Sequence, residues 1–177
     1  QILADLMTIQ EHFGRIEGIR LTYLGDGRNN MANALMIGAS KMGMHFVIGA
    51  PAELFPKEEL VSLCNTYNKE SGGSLEIITN PYEAAKGADV IYTDVWASMG
   101  MESEKEKRRI AFQGYCVDDD LMALADKDCM VQHCLPAHRG EEITESVFEA
   151  HADEIFEEAE NRLHAQKAVM ALLMGKR

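Results

Sequence analysis

Five short runs dominated by apolar residues, at 20–24, 44–48, 75–78, 88–92 and 129–132, alternate along the chain with segments of helical periodicity. No other feature restricts the fold as much. A run that is apolar at nearly every position needs cover on both faces, and strands joined through helices lie parallel. The expected architecture is α/β: a doubly wound, mainly parallel five-stranded sheet with helices on both faces, Rossmann-like.

The helical segments support this reading. Ile2, Leu6, Ile9 and Phe13 share one face, which Leu3 and Met7 widen. Segment 30–41 puts Met31, Leu35 and Met36 together and stops near Gly43, and segment 57–69 closes on Gly72-Gly73. Pro81 opens a short helix ending near Gly87, since proline costs least in a first turn. Asp118–Asp120 precede a helix through Ala125, with the acids at the favourable end of its dipole. The last helix is expected from about Glu158 to Met174, with Ala159, Leu163, Met170 and Leu173 on its apolar side. Segment 101–113, rich in Glu, Lys and Arg, reads as a mobile surface loop or an exposed helix. No repeat or low-complexity linker interrupts the pattern, so residues 1–177 form a single domain.

Composition narrows the function. A formal net charge of −12 argues against nucleic acid, whose phosphates need clustered Lys and Arg. The acids concentrate at 141–160, as a solvated surface would. Cys64, Cys116, Cys129 and Cys134 are scattered without a disulfide framework, and neither a signal peptide nor a long apolar span is present. A cytoplasmic protein with no membrane partner is expected. Gln1 enters directly into a helical pattern without an initiator Met, so a fragment of a longer polypeptide is expected.

Three apolar runs are followed by small polar residues, as at the ligand crevice of an α/β sheet. The first end reads Gly25-Asp26-Gly27-Arg28-Asn29-Asn30-Met31. It lacks the third glycine of a dinucleotide fingerprint, and the next run ends Val47-Ile48-Gly49-Ala50 with no acid for a ribose. Asn29 and Asn30 instead offer amide donors suited to a carboxylate, or one of them is simply a helix cap. The second end, Asp94-Val95-Trp96-Ala97-Ser98-Met99-Gly100, offers a carboxylate for an ammonium and a serine acceptor, or else a turn cap. Trp96 is read as a packing residue.

His133-Cys134-Leu135-Pro136 allows several chemistries. Cys134 could be a thiolate nucleophile, although adjacent side chains on an extended segment point apart. It could also be a buried structural thiol. Zinc could draw on Cys116, Cys129, His133, Cys134 and His138, but no spacing typical of zinc ligands occurs, so no metal and no cofactor are expected. Finally, Arg162 is read in the first turn of the last helix, where a cation opposes the dipole. That marks it for function unless Glu158 or Glu160 pairs with it.

Taken together and in this order, the segments resemble the ornithine carbamoyltransferases, specifically their second, amino-acid-binding half. The likeness also includes Gln1-Ile2-Leu3-Ala4-Asp5-Leu6 and Ala159-Glu160-Asn161-Arg162-Leu163-His164. The related aspartate enzymes have Pro in place of Cys134 and lack the Ser-Met-Gly loop. The resemblance implies attack of the δ-amine of L-ornithine on carbamoyl phosphate, giving citrulline and phosphate. It implies that Asn30 and the Met99 backbone bind the α-carboxylate, and that Asp94 and Ser98 hold the α-ammonium. Cys134 would orient the δ-amine and help it lose its proton. Gln1, the Cys134-Leu135 segment and Arg162 would meet carbamoyl phosphate, with Arg162 polarising the carbonyl oxygen. The catalytic set is then Cys134, Asp94 and Arg162. The family's first half, which carries its phosphate loop, has no counterpart in these residues, so the chain alone is expected to be inactive. The family is typically trimeric.

Other functions stay in view. A carbamoyltransferase acting on putrescine would leave Asn30 and the 98–100 loop with no carboxylate to bind. A Rossmann-type nucleotide module and a non-catalytic amino-acid-binding domain are the further alternatives.

Overall fold

The computed structural model describes residues 1–97 and 104–175. In chain order the elements are α1 (Ile2–Phe13), β1 (Arg20–Leu24), α2 (Asn30–Lys41), β2 (His45–Gly49), α3 (Glu58–Ser71), β3 (Ser74–Ile78) and α4 (Pro81–Ala85). They continue with β4 (Val90–Thr93), α5 (Lys105–Ala111), α6 (Asp119–Met122), β5 (Met130–His133), α7 (Glu145–Ala150) and α8 (Ala152–Met174). The five strands form one parallel sheet in the order β3-β2-β1-β4-β5. Tyr23 on β1 pairs with Ile48 on one side and Tyr92 on the other. The expected α/β architecture is the observed one.

Alternate residues of each strand feed two cores. Leu21, Tyr23, Phe46, Ile48 and Tyr92 pack with Ile9 of α1, Leu35 and Met36 of α2 and Cys64 of α3. Leu24, Val47, Ile91 and Val131 pack on the other face with α4, α6, α7 and Ile155 at the start of α8. Such burial is worth roughly 1.5–3 kcal/mol per large apolar side chain. Gly38 lets α1 lie close on α2, because a Cβ there would meet Ile2 Cγ1 at 2.6 Å.

One stretch departs from expectation. The last helix starts at Ala152 rather than near Glu158, and α7 precedes it, capped by Thr144, which accepts from the Val147 N–H. Few apolar residues mark this acidic stretch; Ile143, Val147, Phe148 and Ile155 reach the core, too few to display a period. Segment 101–113 contains the helix α5, and Arg108 from that helix reaches back to Asp26 at 2.7 Å. Among the described residues, no helix is long and apolar enough to cross a membrane.

β1 and β4 are neighbours from which the chain winds in opposite directions, so a crevice opens beyond their carboxyl ends. Gly25, Asp94 and Cys134 directly follow β1, β4 and β5 at that one edge.

Candidate active site

The β1–α2 turn makes the floor of the crevice. Gly27 is required by close approach, since a Cβ would stand 2.7 Å from the Leu54 carbonyl oxygen. Asp26 is buried, accepting from the Arg28 N–H at 2.8 Å and from the Arg108 guanidinium at 2.7 Å. Asn29 caps α2 through Oδ1, which accepts from the Ala32 N–H at 2.7 Å. Its Nδ2 donates to the Tyr23 hydroxyl at 2.8 Å and to Asp94 Oδ2 at 3.0 Å. The donors of Asn29 are therefore engaged within the protein, and of the two readings left open the helix cap holds for Asn29. Asn30 alone of the two lines the cavity.

Asp94 is the hub. Oδ1 accepts from the Val95 N–H at 2.8 Å and from the Cys134 thiol at 3.1 Å. Burial, with Asp94 alongside, pushes the Cys134 thiol far above its ordinary range, so it remains protonated. A thiol that donates its proton to Asp94 is not a resting thiolate nucleophile. His133 turns away: its Nδ1 accepts from the Leu135 N–H at 2.9 Å, so Nε2 carries the proton towards Glu142 Oε1, 3.2 Å away. The neighbours in sequence do not form a dyad. Leu135 adopts a left-handed backbone at φ 51°, which carries the chain around into Pro136.

Arg162 lies in the third turn of α8, far from the dipole's positive end. The dipole reason for singling it out therefore fails, and the alternative pairing with Glu158 or Glu160 is not made either. Its Nη1 donates to Gln1 Oε1 at 3.2 Å, while His164 pairs with Glu160. Gln1 in turn donates from Nε2 to Asp5 at 2.7 Å and to Glu158 at 3.0 Å.

A cavity of about 450 Å3 is bounded by Gln1, Asn30, Asp94, Cys134, Leu135 and Arg162. The three strand-end motifs and the two ends of the chain thus meet at one opening. Ser98 and Met99, also expected at the site, lie outside the described residues. Trp96 stacks on Phe112 with ring centroids 5.5 Å apart, as a packing residue would.

The cavity holds an amide at the start of a helix, a carboxylate, a protonated thiol and a guanidinium. Such a set can grip a zwitterion at one end and polarise a carbonyl at the other. Asp94, buried beside the glycine-containing turn, repels a pyrophosphate, while Asp26 is already paired with Arg108. Of the residues considered for zinc, His133 is engaged by Glu142, Cys134 by Asp94 and Cys129 by the Met130 carbonyl, whereas His138 lies with Glu141 and Glu142, their ligand atoms within 4.8 Å of one another. Sequence reasoning missed Asn29 as the orienter of Asp94, and it missed Asp26, Asp5 and Glu158. Only Asn29 carried a local signal, its position one residue before a helical pattern.

Residues 17–173 match the family described as aspartate/ornithine carbamoyltransferase, Asp/Orn binding domain. The chain is 51% identical over 175 residues to the ornithine carbamoyltransferase of Hyperthermus butylicus, covering 99% of this chain and 56% of that protein. It is 53% identical over 171 residues to the enzyme of that name from Pseudothermotoga lettingae, covering 96% and 55%. The solved structure of ornithine carbamoyltransferase from Pyrococcus furiosus superimposes with a TM-score of 0.93 at 49% identity, over 99% of this chain and 56% of that one. The chain thus spans about half the length of the curated relatives it matches.

Proposed function

Because the chain belongs to the aspartate/ornithine carbamoyltransferase family, we propose that it is the ornithine-binding half of an ornithine carbamoyltransferase, joined in the working enzyme to a half that carries the phosphate site. The observation that carries this reading is the 3.1 Å contact between the Cys134 thiol and Asp94, on a cavity that Asn30 and Arg162 also border. Asn30 takes the α-carboxylate, helped by the positive end of α2. Asp94 takes the α-ammonium, with Ser98 and the Met99 backbone completing the grip.

The δ-amine then reaches Cys134. Its nitrogen forms a bond to the carbamoyl carbon, and the bond to phosphate breaks with its electron pair leaving on phosphate. The amine's proton passes by way of the Cys134 sulfur towards Asp94, whose carboxylate already shares the thiol proton. Arg162 stabilises the charge that develops on the carbonyl oxygen, and Gln1 and the Cys134-Leu135 segment position the carbamoyl group. The substrates are L-ornithine and carbamoyl phosphate. The same reading assembles the full enzyme as a trimer, in a reducing cytoplasm suited to its four free thiols.

The test is citrulline formation by the enzyme comprising this chain and its amino-terminal half, with putrescine as the competing amine. Citrulline formation with putrescine left untouched is expected. Carbamoylation of putrescine at a comparable rate would overturn the assignment of Asn30.

A further inference from the structure

Beneath the cavity, away from the reacting groups, two buried carboxyls converge on one amide. Gln1 Nε2 donates to Asp5 Oδ1 at 2.7 Å and to Glu158 Oε1 at 3.0 Å. Both acids are fully buried, and Asp5 Oδ2 has no hydrogen-bond partner among the described residues, with the Glu158 carboxyl as its neighbour across the Gln1 amide. Glu158 also accepts from the Tyr92 hydroxyl at 3.2 Å and, through Oε2, from the His133 N–H at 2.9 Å. One carboxyl therefore ties α8 to α1, to β4 and to the residue just before Cys134.

Two ionised carboxylates cannot sit this close in a dry interior, and a hydrogen bond between them needs a proton on one. With both acceptors facing Nε2, the Gln1 oxygen is forced to point at Arg162. We propose that Asp5 and Glu158 are a proton-sharing positioning pair, which fixes the Gln1 carboxamide and through it the Arg162 guanidinium that faces the carbamoyl group. The inference rests on the function proposed above. Among the charged and titratable groups facing the pair, Arg162 favours its ionised form, with Tyr92 and Cys134 close by. Burial pushes Asp5 up to about 6 and Glu158 well above the carboxylate range, so near neutrality one proton remains, on Glu158. When it leaves, the added negative charge draws Arg162 inward and repels an anionic substrate.

Carbon-13 NMR of the 177-residue chain reads the pair without any variant or substrate. Glu158 should titrate far above exposed glutamates, and the Gln1 side-chain amide protons should shift in step with it. Ionisation of both acids together below about pH 5 would overturn the proposal. In the full enzyme, KM for carbamoyl phosphate should rise about tenfold as that proton leaves, the size of one charge-assisted hydrogen bond. Glu158→Gln, isosteric with the protonated acid, should flatten this profile while leaving KM at neutral pH near the wild-type value. Should that variant fold poorly, Asp5→Asn should lower the Glu158 titration instead. A Glu158→Gln profile superimposable on the wild type, or a Glu158 titration unmoved by Asp5→Asn, would refute the pair. A wild-type enzyme that transfers no carbamoyl group defeats the proposed function, and the carboxyl and amide titrations still decide the pair.

Discussion

Asp94 engages Val95, Cys134 and Asn29 at once, so it enters the site already oriented. Asp94→Asn removes the charge proposed to face the ornithine ammonium. Truncating one partner of a desolvated ion pair costs about 2–5 kcal/mol, and steady-state kinetics should show it as a raised KM for ornithine with lowered turnover. An unchanged apparent affinity would rule the contact out. Cys134→Ser should lower turnover without abolishing it, because a hydroxyl can also donate to Asp94. A carbamoylated Cys134 peptide in rapid-quench mass spectrometry would contradict the protonated-thiol role. At this scale the sequence was partly legible. The strand-end residues announced themselves by following apolar runs, and the cavity gathers Asn30, Asp94 and Cys134. Asn29's second task was hidden, because its partner Asp94 comes from a different strand end and only folding brings the two side chains together.

Helices and strands were legible where burial imposes a period. Leu35, on the inner face of α2, is fully buried against the sheet. Leu35→Ala should destabilise the chain by about 2–5 kcal/mol, read as a lower denaturant midpoint with little change in its slope; a change under about 0.5 kcal/mol would place that face in solvent. The acidic stretch before α8 was illegible for the opposite reason, since its helices bury so few apolar residues. The polar groups of the α1–α8 contact could not be read either, because they lie far apart in the sequence: Asn161 donates to Thr8 and Glu11, and Gln1 to Glu158. This contact makes stability depend on pH. Asp5 is raised from 3.8 to about 6, so its share of stability is complete below its unfolded value and is lost as pH rises through about 6. The thermal midpoint should therefore fall between about pH 4 and 6, and Asp5→Asn should flatten that fall. A midpoint rising across this interval would contradict the raised value.

At the scale of the whole molecule, the end of α8 leaves apolar surface uncovered by the described residues. Leu172, Leu173 and Met174 are largely exposed, and Val169 and Met170 border an apolar cavity of about 330 Å3 beside α1. Uncovered apolar surface of this kind promotes association, so the chain alone should fold, self-associate in light scattering and form no citrulline. Citrulline formation at the rate of a complete enzyme would show that it carries its own phosphate site. The central claim, that this half supplies the ornithine contacts, is met most directly by titrating the 15N-labelled chain with L-ornithine. Saturable shifts at Asn30, Val95 and Cys134 are predicted, lost in Asp94→Asn and absent with putrescine. No saturable response at these residues, or an equal response to putrescine, would contradict it.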